Sequence, residues 1–174
     1  MRKLILAAAA TLLTATTALA HEYKIGDLVI DHPVARATPA NAPVSAGYMT
    51  IRNTGDEADT LISGSVGFAT KTELHEMTMD NDVMKMRELD GGIEIPAGGE
   101  VTLVPGGLHV MFKGMNEQLV EGEEHTAELV FEKAGPVEVT FIVESLEKIR
   151  ESMKGDMMKM DHSNHSDHSG HSAN

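Results

Sequence analysis

The stretch TAELVFEKAGPVEVTF, residues 126–141, decides the fold of this chain. Apolar and polar residues alternate on both sides of the turn pair Gly135-Pro136, as they do in half-buried antiparallel strands. Short strand-like segments, separated by clusters of Gly, Pro, Asn and Asp, recur from Tyr23 to about Leu146. No segment before Ser145 sustains the apolar period of a helix. The sequence therefore predicts an all-β domain, either a sandwich or a Greek-key barrel.

Eight segments carry the strand pattern. They are Ala46–Arg52, Thr60–Ile62, Lys71–Met79, Val83–Arg87, Glu100–Val104, Leu108–Lys113, Thr126–Phe131 and Val137–Val143.

The first 20 residues have the features of a signal peptide. Arg2 and Lys3 supply the positive start, residues 4–13 are apolar, and residues 18–20 (Ala-Leu-Ala) form a small-x-small cleavage pattern. A retained N-terminal anchor is the alternative. We expect a secreted, periplasmic protein with a binding domain at 21–148. A flexible, disordered His/Met-rich tail is expected at 149–174, and no membrane span after cleavage.

Composition narrows the class of function. The chain has 27 acidic and 14 basic residues and a net charge of −13, which argues against a nucleic-acid partner or an anionic membrane surface. It contains no cysteine, which excludes thiolate zinc sites, blue-copper electron transfer and thiol redox chemistry. Methionine, with 12 residues, is the most over-represented residue type.

Two short motifs repeat one pair of residue types, since His75-Glu76-Met77 and His109-Val110-Met111 lie in different predicted strands. Residues i and i+2 of a strand point to the same face, so each motif presents an imidazole beside a thioether.

The hairpin after His75 adds another thioether. A two-residue turn at Asn81-Asp82 pairs Met79 with Met84 and Met77 with Met86, because paired residue numbers in an antiparallel ladder have a constant sum. Met86 then shares a face with His75 and Met77.

Thioether sulfur is soft and suits Cu(I), and neutral imidazole accepts both copper oxidation states. One His-x-Met motif alone is more often packing, because methionine is a common core filler. Two copies with a methionine hairpin partner favour a copper site.

These residues resemble the metal-binding motif of the periplasmic copper chaperones called the PCu(A)C family: a histidine, ten residues, a methionine, about 21 residues and His-x-Met. Here 22 residues separate Met86 from His109, and the extra residue falls in a glycine-rich connection. Residues 35–39 (ARATP) and 46–49 (AGYM) are similar to family landmarks, and the resemblance covers about residues 29–143.

The resemblance implies a cupredoxin-like Greek-key β-sandwich that binds Cu(I) outside the cytoplasm. It implies His75, Met86, His109 and Met111 as the ligands, with Met77 as a less certain fifth. It also implies delivery of copper to cytochrome oxidase assembly, with apo subunit II or another periplasmic copper protein as the acceptor.

The C-terminal segment carries a second copper-binding pattern. His162, His165, His168 and His171 recur every third residue and suit capture of Cu(II), whereas Met153, Met157, Met158 and Met160 suit Cu(I). A solvated end without a role is the alternative. His21, if it becomes the N-terminus, could chelate copper with its amine.

Three classes of function compete. A copper carrier is favoured, and copper storage or detoxification, with the tail as the main binding element, is the alternative. An enzyme is disfavoured, because the sequence offers no nucleophile–base pair, cofactor loop or aromatic-lined site.

Overall fold

A computed structural model describes residues 22–81 and 83–153. The predicted signal peptide, His21 and the four histidines of the tail lie outside this range. Among the described residues, no helix is long and apolar enough to cross a membrane.

Eleven strands make up most of the domain. They are β1 (Glu22–Ile25), β2 (Leu28–Arg36), β3 (Val44–Asn53), β4 (Asp59–Val66), β5 (Ala69–Asp80), β6 (Val83–Glu88), β7 (Ile93–Ile95), β8 (Glu100–Leu103), β9 (Leu108–Met115), β10 (Glu124–Phe131) and β11 (Gly135–Glu144). One short helix, α1, occupies 146–153.

The strands form one hydrogen-bonded path in the order β6-β5-β9-β3-β2-β11-β10-β4-β7, with β1 added to β2 and β8 added to β3. Strands β2 and β11 run parallel, while the other pairs of the described chain are antiparallel. The path folds over itself, since β4 packs against β5 without pairing with it. The all-β sandwich predicted from the sequence is confirmed.

An aromatic group occupies the core between the layers. The Phe112 ring of β9 makes edge contacts with Phe68 and Phe141, at centroid distances of 4.9 and 5.6 Å. Both Phe112 and Phe141 lie so close to β3 that a Cβ on Gly47 would come within 2.9 Å of each ring. A glycine is required there, because any side chain would force the two rings off the strand.

Three of the strands, β1, β2 and β7, were not predicted from the sequence. Strand β2 lacks a clean alternation because its pairing with β3 shifts between Asp31 and Val34, where His32 has a φ of 49° and Pro33 lacks an N–H. Strands β1 and β7 are only four and three residues long. Short edge segments give too few residues for an alternating pattern to stand out.

Helix α1 covers part of the outer face of the sheet. The Lys148 amide donates to the Ser145 hydroxyl at 3.4 Å, which marks Ser145 as the N-cap. One turn apart, Ile149 and Met153 are buried against Val34, Ala46 and Tyr48. Residues 149–153, which the sequence analysis places in the tail, are thus part of α1, and two of them pack with the domain.

Candidate metal centre

The two His-x-Met motifs meet on neighbouring strands. His75 of β5 lies directly opposite His109 of β9, and their ring centroids are 5.7 Å apart. Leu74 and Val110, the adjacent residues of the same strands, point into the core. Because side chains alternate along a strand, the histidines lie on the opposite, outer face. The structure thus brings the two His-x-Met motifs together on one face of neighbouring strands.

The methionines of the motif lie on the same outer face. Met111 follows His109 by two residues and is half-buried opposite Ala46. Met77 pairs with Met86, Met79 with Met84 and Asp80 with Val83, so the hairpin register predicted from the turn is confirmed. The Met86 side chain is open to solvent, with 46% of its surface exposed. Two thioethers, Met86 and Met111, thus flank the histidine pair along the strands, with Met77 beside them.

The histidines are held tightly by the surrounding protein. His75 and His109 are 8% and 3% exposed. Tyr48, on the strand next to His109, places its ring 6.5 Å from the imidazole. Burial, with a smaller contribution from His75, lowers the pKa of His109 and outweighs the opposing hydrogen bond to Gly107. His109 is therefore neutral at pH 7 and able to donate a lone pair to a metal.

Hydrogen bonds select one free nitrogen on each ring. Nε2 of His75 lies 2.7 Å from Oε2 of Glu73, and Nδ1 of His109 lies 3.0 Å from the Gly107 carbonyl oxygen. Both oxygens accept, so each of these nitrogens carries the proton. The lone pairs are left on Nδ1 of His75 and Nε2 of His109. Nδ1 of His75 is buried and lacks a hydrogen-bond partner among the described residues, as a nitrogen reserved for a metal would.

Glu73 was missed in the sequence, although it lies two residues before His75 on the same face. Its side chain is buried and contacts Lys71, His75 and Lys113. The hydrogen bond from Lys71, followed by those from His75 and Lys113, lowers the Glu73 pKa to about 2 despite the opposing effect of burial. An ionised carboxylate at this place orients the imidazole and fixes its tautomer, as outer-shell carboxylates commonly do at metal sites.

A second donor set overlaps the first. Ligand atoms of Glu73, His75 and Glu88 lie within 4.8 Å of one another and could hold a harder cation. Both carboxylates are engaged by Lys71, however, at Glu73 by a close ion pair and at Glu88 at 3.7 Å. A lysine that neutralises two carboxylates weakens their attraction for a divalent ion. The imidazole and thioether groups form the donor set that is free of such competition, and they fit a soft ion such as Cu(I).

Comparisons with known proteins show the family of the chain. Residues 28–143 match the family described as "Putative lipoprotein LpqE-like". "Putative lipoprotein Lxx21020" from Leifsonia xyli is 28% identical over 116 residues, covering 67% of this chain and 70% of that protein.

Solved structures of PCuAC proteins are also similar to this chain. The copper-bound PCuAC domain from PmoF2 is 30% identical, with a TM-score of 0.63, over 72% of this chain and 98% of that one. The solution structure of CuI-DR1885 from Deinococcus radiodurans is 27% identical, with a TM-score of 0.54, over 75% and 85%. The chain therefore belongs to the LpqE-like family, and its β-sandwich is a PCuAC domain.

Proposed function

We propose that this protein is a copper chaperone that binds Cu(I) through His75, Met86, His109 and Met111. The observation that carries the proposal is the direct pairing of His75 with His109 on one sheet face, with a thioether two residues beyond His109 and another in the adjoining hairpin. Copper-bound forms of the related domains from PmoF2 and DR1885 support the same ion.

The donor set suits a carrier rather than a permanent holder. All four ligands are neutral, so the charge of Cu(I) is not compensated as it would be by thiolates. Met86 is on the edge strand β6 and open to solvent. One ligand can thus exchange for a donor of an acceptor protein while the buried histidines keep their positions. Met77 lies opposite Met86 and can replace it during that exchange.

We place the protein outside the cytoplasm, in the periplasm. The support is the signal-peptide pattern of residues 1–20, together with the lipoprotein names of the family and of the Leifsonia relative. The 174 residues contain no cysteine, the residue that carries the lipid of bacterial lipoproteins. The acceptor we propose is apo cytochrome oxidase subunit II or another periplasmic copper protein.

The C-terminal residues extend the proposal to copper capture. Helix α1 places Met153 in one cluster with Ala46, the residue paired with Met111, so the last described turn of the chain lies on the face that carries the site. Histidines 162, 165, 168 and 171, which lie outside the described residues, would collect copper, including Cu(II). Tethering beside the site raises the local copper concentration there.

Transfer to an acceptor tests the carrier function. Cu(I)-loaded protein is mixed with an apo subunit II domain, and the copper content of each is measured after separation. We expect copper to move from the loaded wild type to the acceptor. The Met86→Leu variant should bind little Cu(I) before mixing and therefore transfer little. Retention of the ion by the loaded protein at equilibrium would contradict delivery to this acceptor.

Storage or detoxification is the alternative function, favoured by the histidine-rich C-terminal segment. A chain ending at Met153 keeps the buried residues of α1 and removes this segment. A carrier should keep one tightly bound Cu(I) after the truncation and lose most Cu(II) capacity. Loss of nearly all copper, of both oxidation states, would favour storage.

A further inference from the structure

The β5–β6 hairpin extends beyond the sheet. Strand β9 pairs with β5 only from Ala69 to Glu76, and the Met77 amide then donates to the Gly107 carbonyl at 3.1 Å. From there the two strands pair only with each other within the described chain. We call residues 77–81 and 83–86 the ribbon. Its outer part is open to solvent on both faces, since the side chains at positions 78, 79, 83, 84 and 85 are all exposed.

One face of the ribbon consists of methionine. Met77 pairs with Met86 and Met79 pairs with Met84, in consecutive rows that continue from His75 towards the tip. Met79 is 65% exposed and Met84 is 45% exposed. Methionine is usually a core filler, but neither side chain is in the core. Packing within the domain therefore does not explain the outer row, Met79 and Met84.

The other face of the ribbon, continued by Glu76 and Arg87 at its base, carries charged pairs, with Val83 near the tip. Arg87 donates twice to Oε2 of Glu76, at 2.7 and 3.0 Å, and Lys85 pairs with Asp80. These pairs join the two strands on the face opposite the methionines. One face of this exposed hairpin thus carries thioethers and the other carries mainly charged pairs. An edge strand commonly carries charged side chains, which protect it from aggregation. Exposed methionines on its other face have the opposite tendency and call for a specific role.

We propose that Met79 and Met84 form a second soft-metal site, which receives Cu(I) and passes it inward to the site at His75 and His109. The inference rests on the proposed copper function of that inner site. Opposed side chains of an antiparallel pair have Cβ atoms roughly 5 Å apart. Two thioethers at metal–sulfur distances of about 2.3 Å span about 4.6 Å across a linear ion. Flexible methionine side chains can reach this arrangement without moving the backbone.

The spacing of the rows allows transfer by ligand exchange. Successive rows on one strand face are about 7 Å apart. Copper held by Met79 and Met84 lies one row from Met77 and Met86, which lie one row from His75. At each step one thioether binds as another leaves, and the ion stays Cu(I) throughout. The outer site offers thioethers alone, whereas the inner site adds two imidazoles, so the ion is held more tightly inside.

Methyl NMR of the full chain tests the outer site directly. The probe is Ag(I), a diamagnetic mimic of Cu(I), added to protein with labelled methionine methyl groups. We expect the Met86 and Met111 signals to shift with the first equivalent. The Met79 and Met84 signals should shift later and follow one common binding curve. Unshifted Met79 and Met84 signals, or two unrelated curves, would overturn the proposal.

Variants separate sulfur ligation from apolar docking. Met79→Leu/Met84→Leu keeps size and apolar character but removes sulfur, and Met79→Ala/Met84→Ala removes both. Val83→Ala, on the opposite face of the same ribbon, is the matched control. Both double variants should slow Cu(I) uptake from a chelator about tenfold, because the local supply of bound ion is lost. Their equilibrium affinity at the inner site, and the uptake rate of the control, should stay unchanged.

Two other results would separate a docking surface from a metal site and the inner site from the outer one. If the leucine variant loads normally and only the alanine variant is slow, the methionine face docks an apolar partner and the outer metal site is refuted. If Met86 and Met111 do not respond to the first equivalent, the proposed inner site fails. Paired shifts of Met79 and Met84 would then still identify the outer one.

Discussion

Two regions of the sandwich differ in how they satisfy buried polar groups. At the corner formed by β4 and the β10–β11 turn, Asp59 accepts hydrogen bonds from the amides of Thr60, Lys133 and Ala134 at 2.7 to 2.9 Å. At the histidine pair, Nδ1 of His75 is buried without such a partner among the described residues. The corner uses its polar atoms to close a turn, whereas the histidine pair keeps a lone pair unused.

Their apolar surfaces differ in the same sense. Ile95, beside the corner, is fully buried, while Met79, Met84 and Met86 of the β5–β6 hairpin are exposed. Burying polar atoms without partners and exposing apolar ones both cost stability. A region that does both is expected to bind something. The difference supports our proposal of a binding role for the region of the histidine pair and the methionine hairpin, and a structural role for the Asp59 corner.

The largest expected effect is the loss of Cu(I) affinity when Met86 of the β5–β6 hairpin is replaced. Met86→Leu removes a proposed ligand while keeping an exposed apolar side chain, so Cu(I) affinity should fall about 100-fold. Stability should change by less than about 0.5 kcal/mol, because the residue is exposed. Competition with a Cu(I) chelator and thermal unfolding measure the two quantities. A full loss of affinity accompanied by unfolding would instead mean that Met86 has a structural role.

Asp59→Asn should show the reverse behaviour. The amide nitrogen that replaces one carboxylate oxygen cannot accept a hydrogen bond, which leaves a backbone donor unpaired. We expect a loss of about 2 to 3 kcal/mol in the free energy of unfolding, with Cu(I) affinity unchanged. Asp56→Asn, at an exposed position nearby, is the control and should be neutral.

The pH dependence of stability, compared between the wild type and Asp59→Asn, tests the structural role of the Asp59 charge. Burial raises the pKa of Asp59, but the amides of Lys133, Ala134 and Thr60 outweigh it, so the pKa lies below 3.8. A carboxyl with a depressed pKa stabilises the fold above its ordinary pKa and loses that effect as the pH falls through its folded value. The stabilities of wild type and Asp59→Asn should therefore converge below about pH 4. A constant difference down to pH 3 would contradict the role of the charge.

A smaller effect is expected from Glu73→Gln. The glutamine cannot supply the charge that orients His75 and engages Lys71 and Lys113, so Cu(I) affinity should fall about tenfold. Long-range ¹⁵N spectra should show His75 protonated on Nε2 in the wild type and in mixed tautomers in the variant. Glu88→Gln, across the strand from His75, should change affinity by no more than about twofold. An equal loss in both variants would show that carboxylates bind the metal directly.

The sequence predicts the site well where local rules determine geometry. The Asn81-Asp82 turn determines the register of β5 and β6, so the Met77–Met86 pairing follows from residue numbers alone. The two histidine motifs can be predicted for a similar reason, because side chains alternate along both strands. What relates the two strands, their adjacency in the sheet, came from the family resemblance and not from the pattern.

Other features depend on contacts that a single sequence does not display. Glu73 is one of 27 acidic residues in the sequence, and one of the three partners that hold it, Lys113, lies 40 positions away on β9. Met79 and Met84 have the same alternation that a buried strand would have. Their exposure follows from the early end of β9 pairing at Glu76, which is a property of the sheet. The burial of Ile149 depends likewise on the outer surface of β2 and β3.

The smallest effect on Cu(I) affinity is expected for a substitution of Arg87, the residue next to Met86 in the sequence. This side chain lies on the polar face of the hairpin and donates to Glu76, while its neighbour Met86 lies on the methionine face. Exposed ion pairs contribute less than about 1 kcal/mol, so Arg87→Gln should lower stability only slightly. Because the two faces do not communicate through a shared side chain, Cu(I) affinity should change by no more than about twofold. The measurement is the same chelator competition used for Met86→Leu, made at low and high salt. A large loss of affinity at low salt alone would show that the charge of Arg87 acts on the metal through space, and the two faces of the hairpin would then have to be treated as one electrostatic unit.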